Sequence, residues 1–113
     1  MHEMSLAENL LALIEEESRK QGFRCVHTVT VAIGVLGPVE PMALQFCFAA
    51  VARGTLAHKA RLQIETVPAN GFCPDCGYTG SVTEWHQDCP RCALANLVVT
   101  GGDDFFLTGL EVI

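Results

Sequence analysis

Two doublets, Cys73-Pro74-Asp75-Cys76 and Cys89-Pro90-Arg91-Cys92, place four sulfurs in two hooks separated by twelve residues. Each C-x-x-C turn aims two sulfurs at one point, and a short loop can fold the second turn over the first. That spacing suits a tetrahedral Zn²⁺ site of the zinc-ribbon kind. Rubredoxin-like iron and a cycling dithiol pair are the alternatives for the same residues. A thioredoxin-like pair, however, belongs at a helix N-terminus within a βαβ unit, whereas Gly71-Phe72 and Gly77-Tyr78 around the first doublet read as loop. Four thiolates leave no open coordination position, so a zinc held this way maintains structure and activates no nucleophile.

A second constellation is the opening Met1-His2-Glu3. The α-amine of Met1, the backbone nitrogen of His2 and its imidazole Nδ1 can form fused five- and six-membered chelate rings. These favour a square plane, the preference of Ni²⁺ or Cu²⁺. The backbone nitrogen or the carboxylate of Glu3 is available as fourth ligand. The competing reading is an incidental solvated terminus.

The remaining candidates are weaker. His27 and His58 stand alone as surface or hydrogen-bonded histidines, while His86, three residues before Cys89, is placed to support the sulfur site from outside. Cys25 and Cys47 lie in apolar contexts where a thiol acts as a small hydrophobe. Glu15-Glu16-Glu17 reads as the solvated side of a helix. The chain has no phosphate loop, nucleophile elbow or H-E-x-x-H pair, which disfavours nucleotide hydrolysis and protease chemistry and points away from an enzyme.

The elements that must carry these groups are legible from periodicity. Ser5-Leu6-Ala7-Glu8 reads as a capping box, after which Leu6, Leu10, Leu13 and Ile14 recur at helical spacing until Gly22. Val29, Val31 and Ile33 alternate with Thr28, Thr30 and Ala32 as a half-buried strand. Pro41 opens a second helix, read as largely buried through Met42, Leu44, Phe46, Phe48 and Val51, and Gly54 closes it. Leu62 and Ile64 mark a second strand, with Ala69-Asn70-Gly71 as the turn that ends it. Phe105, Leu107, Leu110 and Val112 mark a third. The expected fold is α+β: a small three-stranded sheet with two helices and an inserted zinc-ribbon module. Residues 1–68 plus 99–113 form the α+β domain and 69–98 the zinc-binding module, with Tyr78 and Trp85 packed around the sulfurs.

Composition sets outer limits. At 113 residues, 50% of them hydrophobic, the chain can build one modest core and a small appendage, for which a metal staple is useful. The balance of 13 acidic against 7 scattered basic residues gives a net charge of −6. Four zinc-bound thiolates would take this to about −8, a sign that disfavours nucleic acid. No signal-peptide pattern opens the chain and no apolar run is long enough to span a bilayer, so the expected location is cytoplasmic, where cysteines remain thiols and bind metal.

Together these residues resemble the HypA/HybF family of hydrogenase nickel-incorporation proteins. The resemblance runs over nearly the whole chain. It rests on Met1-His2-Glu3-Met4-Ser5, Val39-Glu40-Pro41, Gly54-Thr55, Cys73-x-x-Cys76-Gly77, Cys89-Pro90-x-Cys92 and Leu110-Glu111-Val112. It implies a nickel metallochaperone that works with a partner GTPase, HypB-like, to deliver Ni²⁺ into the large subunit of [NiFe]-hydrogenase. It carries His2 over as nickel ligand with Met1 and Glu3 beside it, and Cys73, Cys76, Cys89 and Cys92 as zinc ligands. The chain is expected as a monomer or homodimer. It departs from relatives that set histidines beside the zinc thiols, since the interior doublet positions here are Pro74, Asp75, Pro90 and Arg91. A zinc-ribbon interaction module without metal transfer is the alternative.

Overall fold

The computed structural model describes residues 2–113, with His2 described through its backbone only. The order is α1 (His2–Gln21), β1 (Val26–Gly34), α2 (Pro41–Val51), β2 (Arg61–Val67), β3 (Ala69–Phe72), β4 (Thr79–Val82), β5 (Val98–Thr100) and β6 (Phe105–Val112). The strands form two three-stranded sheets, ordered β2-β1-β6 and β4-β3-β5. The α+β reading with two helices and a sulfur-bearing insertion holds, and the insertion has a sheet of its own.

The first compact unit comprises Met1–Val31, Val39–Glu65 and Leu107–Ile113. Ala7, Leu10 and Ile14 on α1, Val29 and Val31 on β1, and Leu44, Cys47 and Phe48 on α2 are buried, each at the period its element dictates. Two expectations for the helices need correction. α1 begins at His2, so Ser5 is an exposed residue within the helix and does not cap it. Glu3 instead supplies the acidic first turn that complements the helix dipole, and Arg19 and Lys20 the basic last turn. α2 is only half buried: Met42 and Phe46, one turn apart, are each 76% exposed, because Leu44, Cys47 and Phe48 occupy the inward face.

The second compact unit comprises Ala32–Pro38 and Thr66–Phe106. Ala69-Asn70-Gly71, expected as a turn, is the first part of β3. It pairs antiparallel with β4 (Ala69↔Val82, Phe72↔Thr79) and with β5 (Asn70↔Thr100, Phe72↔Val98). Ala69 and Gly71 face inward while Asn70 and Phe72 face outward, a strand alternation carried, apart from Phe72, by residues of low β propensity. Packing explains Gly71. A Cβ there would lie 2.4 Å from Val82 Cγ2 and 3.0 Å from Leu97 Cδ1, so the strand can approach its neighbours only without a side chain. Ala69, Val82 and Leu97 join Cys73 and Cys89 in one buried cluster, with Leu36, Tyr78 and Val99 packed against it.

Candidate metal centre

The first doublet lies in the connection between the paired strands β3 and β4, and the second follows the loop after β4. Two local turns of the same form aim the sulfurs. The N–H of Gly77 donates to the Cys73 carbonyl at 2.9 Å, and the N–H of Ala93 donates to the Cys89 carbonyl at 3.0 Å. Both donors have left-handed backbone, φ 78° at Gly77 and 56° at Ala93. The turns are anchored by the Cys73 N–H on the Tyr78 carbonyl and the Cys89 N–H on the Ala95 carbonyl.

These turns bring all four sulfurs within 4.8 Å of one another. Cys73 Sγ lies 3.6 Å from Cys92 Sγ, and Cys76 Sγ lies 3.6 Å from Cys89 Sγ. A tetrahedron with metal–sulfur bonds of about 2.3 Å has edges of about 3.8 Å, so the donor set and its spacing fit a tetrahedral thiolate ion such as Zn²⁺. Among the described residues no other group of three or more histidines, cysteines and carboxylates is gathered in this way.

Crowding divides the thiols. At Cys76 the Tyr78 backbone favours the thiolate, but burial and the hydrogen-bonded neighbours Cys73, Cys89 and Cys92 outweigh it and push the thiol up to about 12. At Cys89 burial acts against ionisation, yet backbone N–H groups at Cys92 and Arg91 and the side chains of Cys76 and Cys73 stabilise the anion, lowering it to about 6. The Cys92 thiol is raised; its Leu94 backbone contact opposes the shift, and burial and the Cys73 and Cys89 thiols carry it. Without metal Cys76, Cys89 and Cys92 share negative charge unequally, as closely coupled acids must.

The surroundings depart from expectation in part. Tyr78 packs against the cluster and lies beneath the Arg91 guanidinium, 5.9 Å from the ring centroid. Trp85 does not share that packing and is 58% exposed. His86 is exposed, with φ 63°, and is not gathered with the sulfurs. His27 and His58 hydrogen-bond locally at the surface, to Thr28 and to the Gly54 N–H respectively. Cys47 is buried as expected, but Cys25 precedes β1 and is exposed.

At the other candidate site, Met1 and the His2 side chain lie outside the described residues. Glu3 is placed: its Oε2 accepts the backbone N–H of Glu40 at 3.1 Å. Glu40 in turn caps α2, accepting the Ala43 N–H on its own carboxylate at 2.8 Å. The first turn of α1 is thus tied to the start of α2. Glu40 is the residue that periodicity did not single out, although an acidic residue directly before Pro41 is a helix-start signal.

Comparison with known proteins agrees with this architecture. Residues 1–112 match the family model described as "Hydrogenase/urease nickel incorporation, metallochaperone, hypA". The chain is similar to hydrogenase maturation factor HypA of Acidithiobacillus ferrooxidans, 46% identical over 112 residues with 99% of each chain covered. It is similar to that of Albidiferax ferrireducens at 47% identity with the same coverage. The solution structure of the Ni metallochaperone HypA from Helicobacter pylori superposes with a TM-score of 0.68 at 25% identity, covering 98% of this chain and 97% of that one. These relatives are maturation factors and metallochaperones, not catalysts, and no helix among the described residues is long and apolar enough to cross a membrane. The chain belongs to the HypA family of hydrogenase nickel-incorporation metallochaperones.

Proposed function

We propose that this chain binds Ni²⁺ through His2, with the Met1 amine and Glu3 alongside, and delivers it to the large subunit of a [NiFe]-hydrogenase in the cytoplasm, acting with a HypB-like GTPase. Cys73, Cys76, Cys89 and Cys92 hold a structural Zn²⁺. Residues 1–68 and 99–113 carry the nickel function, and residues 69–98 the zinc. The observation that carries the reading is the family match from residue 1 to residue 112, which takes in both Met1-His2-Glu3 and the paired C-x-x-C doublets.

The two sites divide the chemistry. A site of four thiolates is coordinatively closed, and its binding free energy goes into ordering the chain that supplies the ligands. A site built on a terminal amine and an imidazole keeps its ion within reach of an acceptor and releases it on protonation. Calorimetric Ni²⁺ titration of tag-free protein tests the assignment, with zinc content measured alongside. His2→Ala, or residues added ahead of Met1, abolishes nickel binding and leaves zinc at one per chain. Unchanged nickel affinity in His2→Ala overturns the reading and leaves the zinc-ribbon interaction module in its place.

A further inference from the structure

β6 is an outer strand of the β2-β1-β6 sheet, so one of its edges has no strand beside it among the described residues. Along its second half runs a groove of about 420 Å³, bounded by α1 and by Phe23 at the start of the following connection. Leu13, Phe23, Leu107, Leu110 and Val112 give it an apolar side, Gln21 and Thr108 a polar one, and Glu17 is the one charged side chain in its lining. Leu13 turns away from the core and is 48% exposed, although it continues the apolar periodicity of α1. An outer strand offers unpaired backbone donors and acceptors, and the neighbouring groove offers room for side chains that alternate along an added strand.

We propose that the outer edge of β6 and this groove take an extended segment of a partner polypeptide as a fourth strand. That segment has apolar residues at alternate positions and a lysine or arginine set against Glu17. Charge selects this occupant. The chain has a net charge of −6, and Glu16, Glu17 and Glu111 are the acidic groups of α1 and β6 nearest the groove in sequence. Among the described residues Lys20, 3.9 Å from Glu17 and 3.5 Å from Glu16, is the one cation paired with the first two; Gln21 Nε2 also donates to Glu17 Oε2 at 2.8 Å, and Glu111 lies 3.7 Å from His27. A second copy of this chain docked strand to strand would bring its own acids against these, at an unfavourable like-charge contact.

The test uses the full zinc-loaded chain and a fluorescein-labelled ten-residue peptide of alternating valine and threonine carrying two lysines. Fluorescence anisotropy measures its affinity. Two companions have glutamates in place of the lysines, or N-methylated amides at alternate residues. The lysine peptide binds roughly fivefold more tightly than the glutamate peptide at low salt, with the difference shrinking as salt rises. The N-methylated peptide loses binding, and Leu13→Glu weakens it at least about tenfold with circular dichroism and zinc content unchanged. Should Leu13→Glu disturb the fold, Glu17→Lys serves instead, because at a half-buried surface position it reverses the order of the two charged peptides. Absence of binding, indifference to N-methylation, or an unchanged order in Glu17→Lys overturns the proposal. Light scattering that finds a dimer dissociated by Leu13→Glu overturns it in favour of a second copy.

Discussion

The carboxylate of Glu3 accepts the backbone N–H of Glu40 at 3.1 Å, across 37 residues of sequence. This bond engages Glu3 Oε2 in holding the start of α2, whose cap is the Glu40 carboxylate itself. In the proposed nickel site the backbone nitrogen of Glu3 is then the better fourth donor, and its side chain is a positioning group.

Substitution separates those two roles. Glu3→Gln keeps an acceptor oxygen and is expected to retain nickel affinity within about threefold, whereas Glu3→Ala removes the bond and costs about 1 kcal/mol of stability. Nickel titration and thermal unfolding of both variants check this. A large loss of nickel binding in Glu3→Gln would show that the carboxylate itself is a ligand.

Proton release on metal binding follows from the division among the thiols. At pH 7.5 Cys89, lowered to about 6, is already ionised, while Cys76, pushed up to about 12, and Cys92, also raised, are protonated. Thiolate ligation of Zn²⁺ at that pH therefore displaces at least two protons. The sign is fixed: zinc affinity falls as pH falls, with a slope of at least two protons between about pH 6 and 9. Below pH 6 the slope steepens as Cys89 also takes up a proton. Calorimetry of zinc binding in buffers of different ionisation enthalpy counts the protons, and release of fewer than two would refute the division.

How far the sequence could be read depended on whether a position answers to local rules or to distant neighbours. The sulfur spacing and the apolar periods of α1, β1 and α2 are local, and Cys73, Cys76, Cys89 and Cys92 come together as their spacing demanded. β3 was hidden because Ala69, Asn70 and Gly71 are turn residues by propensity, and only the close approach of Val82 and Leu97 makes a glycine necessary in that strand. Met42 and Phe46 misled in the other direction, since hydrophobicity alone does not say which helix face has a partner. The Glu3–Glu40 bond joins residues too far apart in sequence for any periodic signal to connect them.

Gly71→Ala is the most direct check on that close approach. The added methyl meets Val82 Cγ2 at 2.4 Å on one side and Leu97 on the other, between strands already paired on both edges. Overpacking of this kind costs roughly 1–3 kcal/mol. The variant is expected to lose zinc to a chelator sooner than wild type, while the circular dichroism signal of the helices persists. Unchanged zinc retention would mean that the β4-β3-β5 sheet yields more readily than its packing implies.

The two metal-facing turns differ at their left-handed position, Gly77 in one and Ala93 in the other, and the difference predicts a gain. Gly77 and Ala93 each donate to the carbonyl four residues back, the first with φ 78° and the second with φ 56°. Glycine meets no steric penalty in the left-handed region, whereas an alanine there has its Cβ crowded against the backbone, at a cost of about 1 kcal/mol. Ala93→Gly relieves that crowding but also loosens the unfolded chain, which returns part of the gain. The net expectation is a stabilisation of the sulfur site by about 0.5 kcal/mol, and the mirror substitution Gly77→Ala should destabilise it by a similar or larger amount. Competition against a zinc chelator reads both, with Ala93→Gly holding zinc roughly twofold more tightly and Gly77→Ala more weakly. If Ala93→Gly instead weakened zinc binding, the alanine methyl would be contributing packing that outweighs its backbone strain.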